Sequence, residues 1–395
     1  MKRLLWIGDA CCHTGFATVS RNVLGNLCKT WDVHVLGINH RGDPHNLPYP
    51  VYPAMRDGDP YGVNRFYEIL AVVRPDIIVV NHDTWNVARF LTSDVSIPIV
   101  GYMPIDGPHI RRDICTLLNR LSCAIWYTEY GRDEAIRCGY LGRNEIIPHG
   151  IDLGRYKPFD KEWARTVLGF PIPADATLIG NVNANRFRKR LDITMDVFAR
   201  IRAQWPKEKD EPFFYVHSQP NNGYDGWDLN ELIAFYGLSG RVLIPQGVNS
   251  FEGFPEEKMP WIYSSLDVQI STTMGEGWGL TTMEGIACGT MQVVPDFAAL
   301  PEWLSTVDPM RTRHRLCPVD NCLNYPGMYN HVGKEVDRQA MADGICKMLL
   351  LENAGKSEVD FTGFNWAAVS EMFDEVLTDV LELIPTRKAD PLQAV

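Results

Sequence analysis

Short apolar runs of strand length recur along this 395-residue chain, and most are separated by segments with the spacing of amphipathic helices. In the first part of the chain, helical patterns at 17–28 and 63–73 alternate with apolar runs at 2–8, 32–38, 76–82, 97–103, 123–128 and 144–148. Buried strands that alternate with helices are typical of a parallel, doubly wound sheet. The alternation therefore restricts this part of the chain to a Rossmann-like α/β domain.

The alternation stops in a polar, proline-containing segment at 154–177 and then begins again. The second set of apolar runs lies at 177–182, 212–218, 241–247, 267–272 and 291–296. A last segment, near 365–384, has apolar residues at helical spacing. The pattern predicts two Rossmann-like domains, at 1–158 and 159–363, followed by a C-terminal helix and tail at 364–395.

Composition excludes several classes of protein. An apolar fraction of 45% and a charged fraction of 22% are those of a soluble globular protein, and no apolar run is long enough to insert into a membrane. Gly8 and Asp9 interrupt the N-terminal apolar run, which therefore predicts a strand rather than a signal peptide, and we expect a cytoplasmic protein. Ten cysteines lack zinc-type pairing, so no structural metal is expected. The net charge of −11 argues against binding nucleic acid through overall charge but does not exclude a local basic strip.

The segment at 274–290, MGEGWGLTTMEGIACGT, lies between two apolar runs of strand length. We predict a glycine-rich turn containing Glu276, then a helix from near Trp278 to Gly289 that contains Glu284. In open α/β sheets, ligands bind where strands end and helices begin. Glycines allow close approach to a ligand, and carboxylates there are suited to accept hydrogen bonds from the hydroxyl groups of a sugar or ribose.

This segment resembles the Glu-x7-Glu signature of the retaining GT-B glycosyltransferases called family 4, the glycogen-synthase-like and sucrose-synthase-like group. The similar sequence runs from PEEKMPWIYSSLDVQIS (255–271) through EGWGLTTMEGIACGT (276–290) to VVPDFAALPEWL (293–304). The resemblance implies the GT-B fold, in which two Rossmann-like doubly wound domains face each other across a cleft and the C-terminal helix crosses back to the N-terminal domain. It also implies a nucleoside-diphosphate sugar as co-substrate, retention of anomeric configuration and no required metal.

The same resemblance suggests roles for individual residues in donor binding. Glu284 would contact the ribose, and Glu276 would hold the sugar as the main catalytic carboxylate. The backbone that follows Glu276 would complete the donor site, through Gly277, Trp278, Gly279, Leu280 and Thr281.

The family places an arginine and a lysine, five residues apart, on the donor diphosphate. Lys189 in IGNVNANRFRKRLD (179–192) fits the lysine, but Ala184 stands where the arginine is expected, so Arg186 or Arg188 would replace it. Fixed cations stabilise the charge that develops on a leaving diphosphate. The alternative is an exposed basic helix start, which the helix dipole disfavours.

Three further candidates lie in the first domain. Gly15 follows the first strand in a loop that, in the resembled family, flanks the donor phosphates and the acceptor, which makes Gly15 a candidate for donor binding. The loop is not a GxGxxG fingerprint, so dinucleotide binding is disfavoured, and Thr14 could simply cap the next helix. His82, beside Asp83, follows the third strand and could face the crevice, or the pair could cap the next helix. Asp106 stands where relatives in the family usually have a histidine, and our hypothesis is that it contacts the acceptor hydroxyl or the donor sugar.

The sequence thus favours a glycosyltransferase that moves a sugar from a UDP- or GDP-sugar to an acceptor hydroxyl. The stretch at 217–233 is similar to glycosyltransferases encoded by bacteriophages, some of which modify DNA bases and others proteins, so nucleic acid is one of the open acceptor classes. One alternative is a glycoside hydrolase or phosphorylase that uses Glu276 and Glu284 as its acid and nucleophile. Another is a catalytically silent nucleotide-sugar-binding protein, which the departures at Ala184 and Asp106 would explain.

Overall fold

The computed structural model describes the chain except for residues 222, 224, 249–252, 325–331, 351–358 and 384–395, and at 321–324 it describes the backbone alone. The chain forms two compact units. The first comprises Met1–Pro104, Arg111–Gly150 and the segment from Trp366 onwards. The second comprises Ile105–Ile110 and Ile151–Asn365.

The first unit is built on a seven-stranded sheet whose paired strands are all parallel. Its strands in chain order are β1 (Arg3–Asp9), β2 (Asp32–Ile38), β3 (Val51–Pro53), β4 (Ile77–Asn81), β5 (Ile99–Met103), β6 (Cys123–Trp126) and β7 (Asn144–Ile146), and their order in the sheet is β3-β2-β1-β4-β5-β6-β7. Every residue of β4 and β5 is buried, because helices cover both faces of such a sheet. The six predicted strands are confirmed, whereas β3 is a three-residue edge strand too short to give a sequence pattern.

The helices of the first unit connect these strands in the doubly wound manner that the sequence predicts. They are α1 (Gly15–Leu27), α2 (Phe66–Val73), α3 (Thr84–Phe90), α4 (Arg112–Leu118) and α5 (Glu129–Arg137). Thr14 caps α1, because its hydroxyl accepts a hydrogen bond from the amide of Ala17 at 3.1 Å.

The second unit contains a six-stranded parallel sheet and a two-stranded antiparallel ribbon. The sheet strands are β8 (Leu178–Val182), β9 (Phe213–His217), β10 (Val242–Leu243), β11 (Val268–Ile270), β12 (Met291–Pro295) and β13 (His314–Cys317), in the order β10-β9-β8-β11-β12-β13. The ribbon pairs β14 (Val319–Asn324) with β15 (Val332–Val336). The five predicted strands are confirmed, but β13 was not predicted because basic residues interrupt its short apolar pattern.

The helices of the second unit are α6 (Lys161–Val167), α7 (Leu191–Gln204), α8 (Leu229–Phe235), α9 (Met259–Ser265), α10 (Leu280–Ala287), α11 (Ala299–Val307) and α12 (Arg338–Leu350). One face of the sheet packs against α7 and α12 in a continuous core that includes Phe198, Phe214 and Met341. This core fixes the central strands, so the loops at their carboxyl ends start from a rigid base.

The C-terminal helix, α13 (Trp366–Leu383), belongs to the first unit and packs against α1. Phe373 lies with its ring centre 5.8 Å from Trp6 and 4.8 Å from Tyr102, and Asp374 accepts a hydrogen bond from Trp31 at 2.6 Å. The prediction that this helix returns to the N-terminal domain is confirmed. The predicted tail at 384–395 lies outside the described residues, and among the helices that are described none is both long and apolar enough to cross a membrane.

Candidate functional site

Three segments of the second unit meet at the carboxyl ends of β8 and β11, which are neighbours in the sheet. They are the loop after β8 (183–190), the loop after β11 (271–279) and the segment Ile105–Ile110. The two loops are joined directly, since the amide of Met274 donates to the carbonyl of Arg188 at 2.8 Å and the hydroxyl of Thr272 bonds the carbonyl of Lys189 at 3.0 Å. Backbone contacts therefore hold Arg188 and Lys189 beside the Glu276 turn.

Two cations and two carboxylates form a compact cluster there, which we call the ionic cluster (Asp106, Arg188, Lys189 and Glu276). Lys189 donates to Oε1 of Glu276, and the guanidinium of Arg188 lies 3.1 Å from Oε2 of the same carboxylate. Nε of Arg188 also lies 3.3 Å from Oδ2 of Asp106. Each charge in the cluster has an opposite charge beside it, which offsets the cost of taking these groups out of water.

The ionic cluster keeps Glu276 ionised. Burial alone would raise the pKa of Glu276, but the positive charges of Lys189 and Arg188 outweigh it and lower that pKa from 4.5 to about 2. A group with so low a pKa is a weak base at neutral pH. Glu276 is therefore suited to accept hydrogen bonds and to hold negative charge, rather than to abstract a proton.

Glu284 lies on α10, buried among phenols. Its Oε2 accepts a hydrogen bond from the Tyr263 hydroxyl at 2.6 Å, and Tyr156 is a second hydrogen-bond partner. Burial raises the pKa of Glu284 from 4.5 to about 7, and the two phenols oppose that rise. The carboxyl group can thus either donate or accept a hydrogen bond near neutral pH.

Two positions in the Glu276 turn favour glycine over any residue that carries a side chain. A Cβ on Gly275 would lie 1.9 Å from the carbonyl oxygen of Asp106, so the close approach of these two backbones requires glycine. Gly279 has a φ of 91° and precedes α10, a left-handed conformation that other residues rarely adopt. The amides of Thr282 and Met283 donate to the carbonyl of Gly279 at 3.0 and 3.1 Å. The two earlier amides of α10, at Leu280 and Thr281, are therefore the ones without an acceptor in the helix and suited to a ligand.

The helix of this segment begins at Leu280, two residues after the predicted start, and ends before Gly289 as predicted. The Trp278 side chain is buried, stacks on Trp303 with ring centres 5.8 Å apart and bonds Met283 through its indole nitrogen. Its indole therefore supports the turn from the protein interior. Gly277 is buried in the turn, and Leu280 and Thr281 are half-buried in the first turn of α10.

The two arginines proposed for the diphosphate differ in placement. Arg188 lies in the ionic cluster, whereas Arg186 is half exposed and pairs with Asp225 at 3.5 Å. The structure therefore brings Arg188 together with Lys189 and does not bring Arg186 there.

The candidates in the first unit do not form a comparable charged group. Gly15 is the exposed first residue of α1, next to the capping Thr14. The ring of His82 is buried, 4.6 Å from the ring of Phe16, and its Nδ1 lies 2.8 Å from the amide of Asp83. The Asp83 side chain makes no capping bond to α3, and the amide that the His82 ring bonds is that of the N-cap residue itself, so neither side chain caps this helix through its N2 or N3 amide.

Sequence reasoning missed the phenols around Glu284. Tyr263 lies inside the similar segment at 255–271, but as one apolar residue of a helix it gave no signal of its role. Tyr156 lies just after Gly150, where the chain passes from the first unit to the second, and nothing in its local sequence connects it to Glu284. The pairing of Asp106 with Arg188 was also missed, because it joins residues that are distant in the sequence.

No protein-family model matches the chain. Among curated proteins, it is 27% identical over 149 residues to the D-inositol 3-phosphate glycosyltransferase 2 of Catenulispora acidiphila, a match that covers 38% of this chain and 34% of that protein. It is 31% identical over 162 residues to the lipopolysaccharide core biosynthesis mannosyltransferase LpsB of Rhizobium meliloti, covering 40% of this chain and 42% of that protein. The chain thus matches less than half the length of these relatives.

Solved structures match over nearly the whole chain. A sucrose-phosphate synthase from Thermosynechococcus elongatus superimposes with a TM-score of 0.73 at 18% identity, covering 97% of this chain and all of that one. The Anabaena HepE protein in complex with UDP and glucose superimposes with a TM-score of 0.66 at 18% identity, covering 96% of this chain and all of that one. The chain has the GT-B fold. The GT-B fold predicted from the Glu-x7-Glu resemblance is confirmed.

Proposed function

We propose that this protein is a glycosyltransferase that moves a sugar from a nucleoside-diphosphate donor to an acceptor hydroxyl. The observation that carries the proposal is the ionic cluster beside the start of α10, with Glu284 on the same helix. Partial sequence similarity to a glycosyltransferase and a mannosyltransferase supports it, as does structural similarity to a protein in complex with UDP and glucose.

In this proposal the second unit binds the donor. Arg188 and Lys189 contact the diphosphate and stabilise the charge that develops there as the sugar leaves. Both cations contact Glu276 in the structure, so a bound diphosphate shares them with this carboxylate. Glu276 then accepts hydrogen bonds from the sugar, and Glu284 accepts or donates one at the ribose.

Retention and independence from metal also belong to the proposal. A fixed arginine and a fixed lysine supply the positive charge at the diphosphate. Glu276 is engaged by both cations, which disfavours its attack on the sugar as a nucleophile. A front-face reaction, in which the leaving phosphate helps to deprotonate the acceptor, fits this arrangement. Asp106 would act by holding Arg188, and the roles of Gly15 and His82 towards phosphate or acceptor are part of the same hypothesis.

The acceptor is the open part of the proposal. We propose a family 4 enzyme of the glycogen-synthase-like type, acting in the cytoplasm and related to those of bacteriophages, whose acceptor is a modified DNA base, a protein or a glycan. A DNA base would have to leave the base stack to reach the reacting sugar. Product analysis with UDP- and GDP-sugars against these three acceptor classes would decide among them.

The first experiment is thermal unfolding of the protein with UDP-, GDP-, ADP- and dTDP-sugars. A ligand at about one hundred times its dissociation constant adds about 2.7 kcal/mol to the free energy of unfolding, which is readily measured. We expect one nucleotide class to stabilise the wild type. Absence of a shift with every nucleotide would overturn the proposed donor site.

A matched pair of variants sharpens this experiment. Arg188→Ala and Arg186→Ala each remove one guanidinium group, at positions only two residues apart in the sequence. We expect Arg188→Ala to lose most of the ligand-induced shift, measured against its own unliganded transition, and Arg186→Ala to keep it. Glu284→Ala should also lose the shift, with Glu162→Ala on the exposed face of α6 as its control. Equal loss in both arginine variants would contradict the assignment of Arg188.

A second candidate function is glycoside hydrolysis, and one observation favours it. Glu284 has a pKa of about 7 and Glu276 of about 2, the split expected of a general acid and an ionised nucleophile. Its weakness is that both groups are already engaged, Glu276 by cations and Glu284 by phenols. Release of free sugar from an oligosaccharide without any nucleotide, lost in Glu284→Gln, would establish the hydrolase instead.

A further inference from the structure

Cys11, His40 and His45 lie together in the first unit, and one potential ligand atom from each lies within 4.8 Å of the other two. The sheet explains how they meet. Asp9 and Ile38 are paired at the carboxyl ends of the adjacent parallel strands β1 and β2, and Cys11 and His40 each follow two residues later. His45 returns from the same β2–β3 connection.

His40 is held in place and has an unsatisfied nitrogen. The residue is only 4% exposed, its amide donates to Gly37 at 3.1 Å and its carbonyl accepts from Met55 at 3.3 Å. Within the described residues, its buried Nδ1 has no hydrogen-bond partner. A buried polar atom without a partner lowers stability, so this nitrogen points to a group that the protein alone does not supply.

We propose that Cys11, His40 and His45 form a binding site for a divalent cation of the zinc type. One thiolate and two imidazoles are donors that zinc prefers, and three protein ligands leave the fourth tetrahedral position for water or a ligand oxygen. Zinc–ligand distances place neighbouring donor atoms about 3.3–3.8 Å apart in a tetrahedral site. Cys11 is half-buried and His45 exposed, so rotation of these two side chains can close the remaining gap onto the fixed His40.

The surrounding charges are balanced. Arg21 donates to the carbonyls of Ala10 at 3.2 Å and Cys12 at 3.1 Å, which orders the loop that carries Cys11 but brings a positive charge near. The carboxylate of Asp43 acts electrostatically on both Cys11 and His40 and offsets that charge. A thiolate formed at Cys11 adds a second negative charge for the cation.

The ligands of this site belong to the first unit, whereas the ionic cluster belongs to the second. A bound cation would tie the loop after β1, which leads to Gly15, to the loop after β2. A metal site at Cys11 departs from the expectation that the cysteines bind no structural metal. That expectation considered spacing between cysteines, whereas these ligands are brought together by strand pairing.

The test is a titration of the full-length, chelator-treated protein with Zn²⁺ by calorimetry, repeated with Co²⁺ to observe thiolate-to-metal absorption. We expect one Zn²⁺ per chain. Cys11→Ser and His45→Ala should weaken binding by more than about a hundredfold, since loss of even an outer-shell partner costs 10–100-fold. Cys12→Ser and His13→Ala, which change a neighbouring cysteine and an exposed histidine, should bind as the wild type does.

Two results would overturn the proposal. One is absence of Zn²⁺ binding to a wild-type protein that is folded by its thermal transition. The other is unchanged binding in Cys11→Ser and His45→Ala, or a loss confined to Cys12→Ser, which would assign the ion to a different thiol. Because His45 is exposed, its replacement leaves the core intact and keeps the test valid if Cys11→Ser fails to fold.

Discussion

Glu276 and Glu284 are close in sequence, lie at the same edge of one sheet and are both buried, yet the protein treats their carboxyl groups in opposite ways. In the turn, two cations surround Glu276 and lower its pKa to about 2. On α10, burial raises the pKa of Glu284 to about 7, and the neutral phenols around it oppose that rise without cancelling it. Burial penalises the charged form of both groups, so the difference between them comes from their partners.

The comparison separates two functions that one residue type can serve. A carboxylate fixed by cations is a permanent charge, whereas a carboxyl group held by phenols can change protonation near neutral pH. In the proposed transferase, the permanent charge of Glu276 suits a sugar that must be held in one position. The carboxyl group of Glu284, which can donate or accept, suits a ribose hydroxyl. The variants below test whether the partners produce this difference, from the largest expected effect to the smallest.

Lys189→Met should have the largest effect. It leaves Glu276 buried with Arg188 as its remaining cation in the ionic cluster, and breaking a buried ion pair costs about 3–5 kcal/mol. Urea unfolding at pH 7 measures the loss. Lys161→Met is the control, because Lys161 pairs with Asp267 at 2.7 Å but is 42% exposed, and exposed pairs contribute about 0–1 kcal/mol. A smaller loss for Lys189→Met than for Lys161→Met would show that Arg188 alone holds Glu276.

Glu284→Gln should change how stability depends on pH. The folded-state pKa of Glu284, about 7, lies above its ordinary value of 4.5, so its contribution is fully present below pH 4.5 and is lost as the pH rises to 7. The shift corresponds to about 3 kcal/mol. The variant cannot ionise, so between pH 4.5 and 8 its free energy of unfolding should rise by about that amount relative to the wild type.

Glu276→Gln gives the opposite sign and serves as the comparison. The pKa of Glu276 lies below 4.5, so its stabilising contribution is present above pH 4.5 and is lost as the pH falls towards 2. Unfolding curves measured in parallel should therefore diverge from the wild type in different pH ranges. A pH-independent difference for both variants would contradict the proposed role of the partners.

Gly275→Ala should cost about 1–3 kcal/mol, the usual effect of forcing extra volume into a packed site. The added Cβ would meet the carbonyl oxygen and the carbonyl carbon of Asp106. Because both are backbone atoms that cannot rotate away, the turn itself must move. Gly25→Ala on α1 is the matched control, since its Cβ meets nothing within 4 Å and alanine is the better helix former. Thermal unfolding should show opposite signs for the two variants, and a neutral Gly275→Ala would show that the turn is less constrained than its backbone contacts indicate.

Much of the fold could be predicted from the sequence because parallel strands buried on both faces appear as apolar runs. β4 and β12 are clear examples. Short edge strands such as β3, and β13 with its basic residues, gave no such signal. The positions of Glu276 and Glu284 relative to strand and helix were also predicted, since glycines and apolar runs delimit that segment.

The partners of these two residues could not be predicted in the same way. Tyr156, Tyr263 and Asp106 come from separate segments, and only the packed fold brings each to its carboxylate or guanidinium. Likewise, the choice between Arg186 and Arg188 depends on the short helical turn at Phe187–Lys189, which directs their side chains differently. Local sequence determines which elements form, whereas charge and pKa depend on contacts between distant segments.

Tyr263→Phe should have the smallest effect and is the most direct test of the phenol contact. Removing the hydroxyl takes away a hydrogen bond that favours the ionised form of Glu284, so the pKa of Glu284 should rise further, by up to about one pH unit. The measurement is the pH at which the stability difference between Tyr263→Phe and the Tyr263→Phe, Glu284→Gln double variant stops growing, because that pH marks the folded-state pKa of Glu284. Tyr215→Phe, which removes an equally buried hydroxyl bonded to His217 at 2.7 Å, is the control and should leave that pH unchanged. If the difference stops growing at a lower pH than in the wild type, the phenol favours the protonated acid, and the contrast between Glu276 and Glu284 has a cause other than their hydrogen-bond partners.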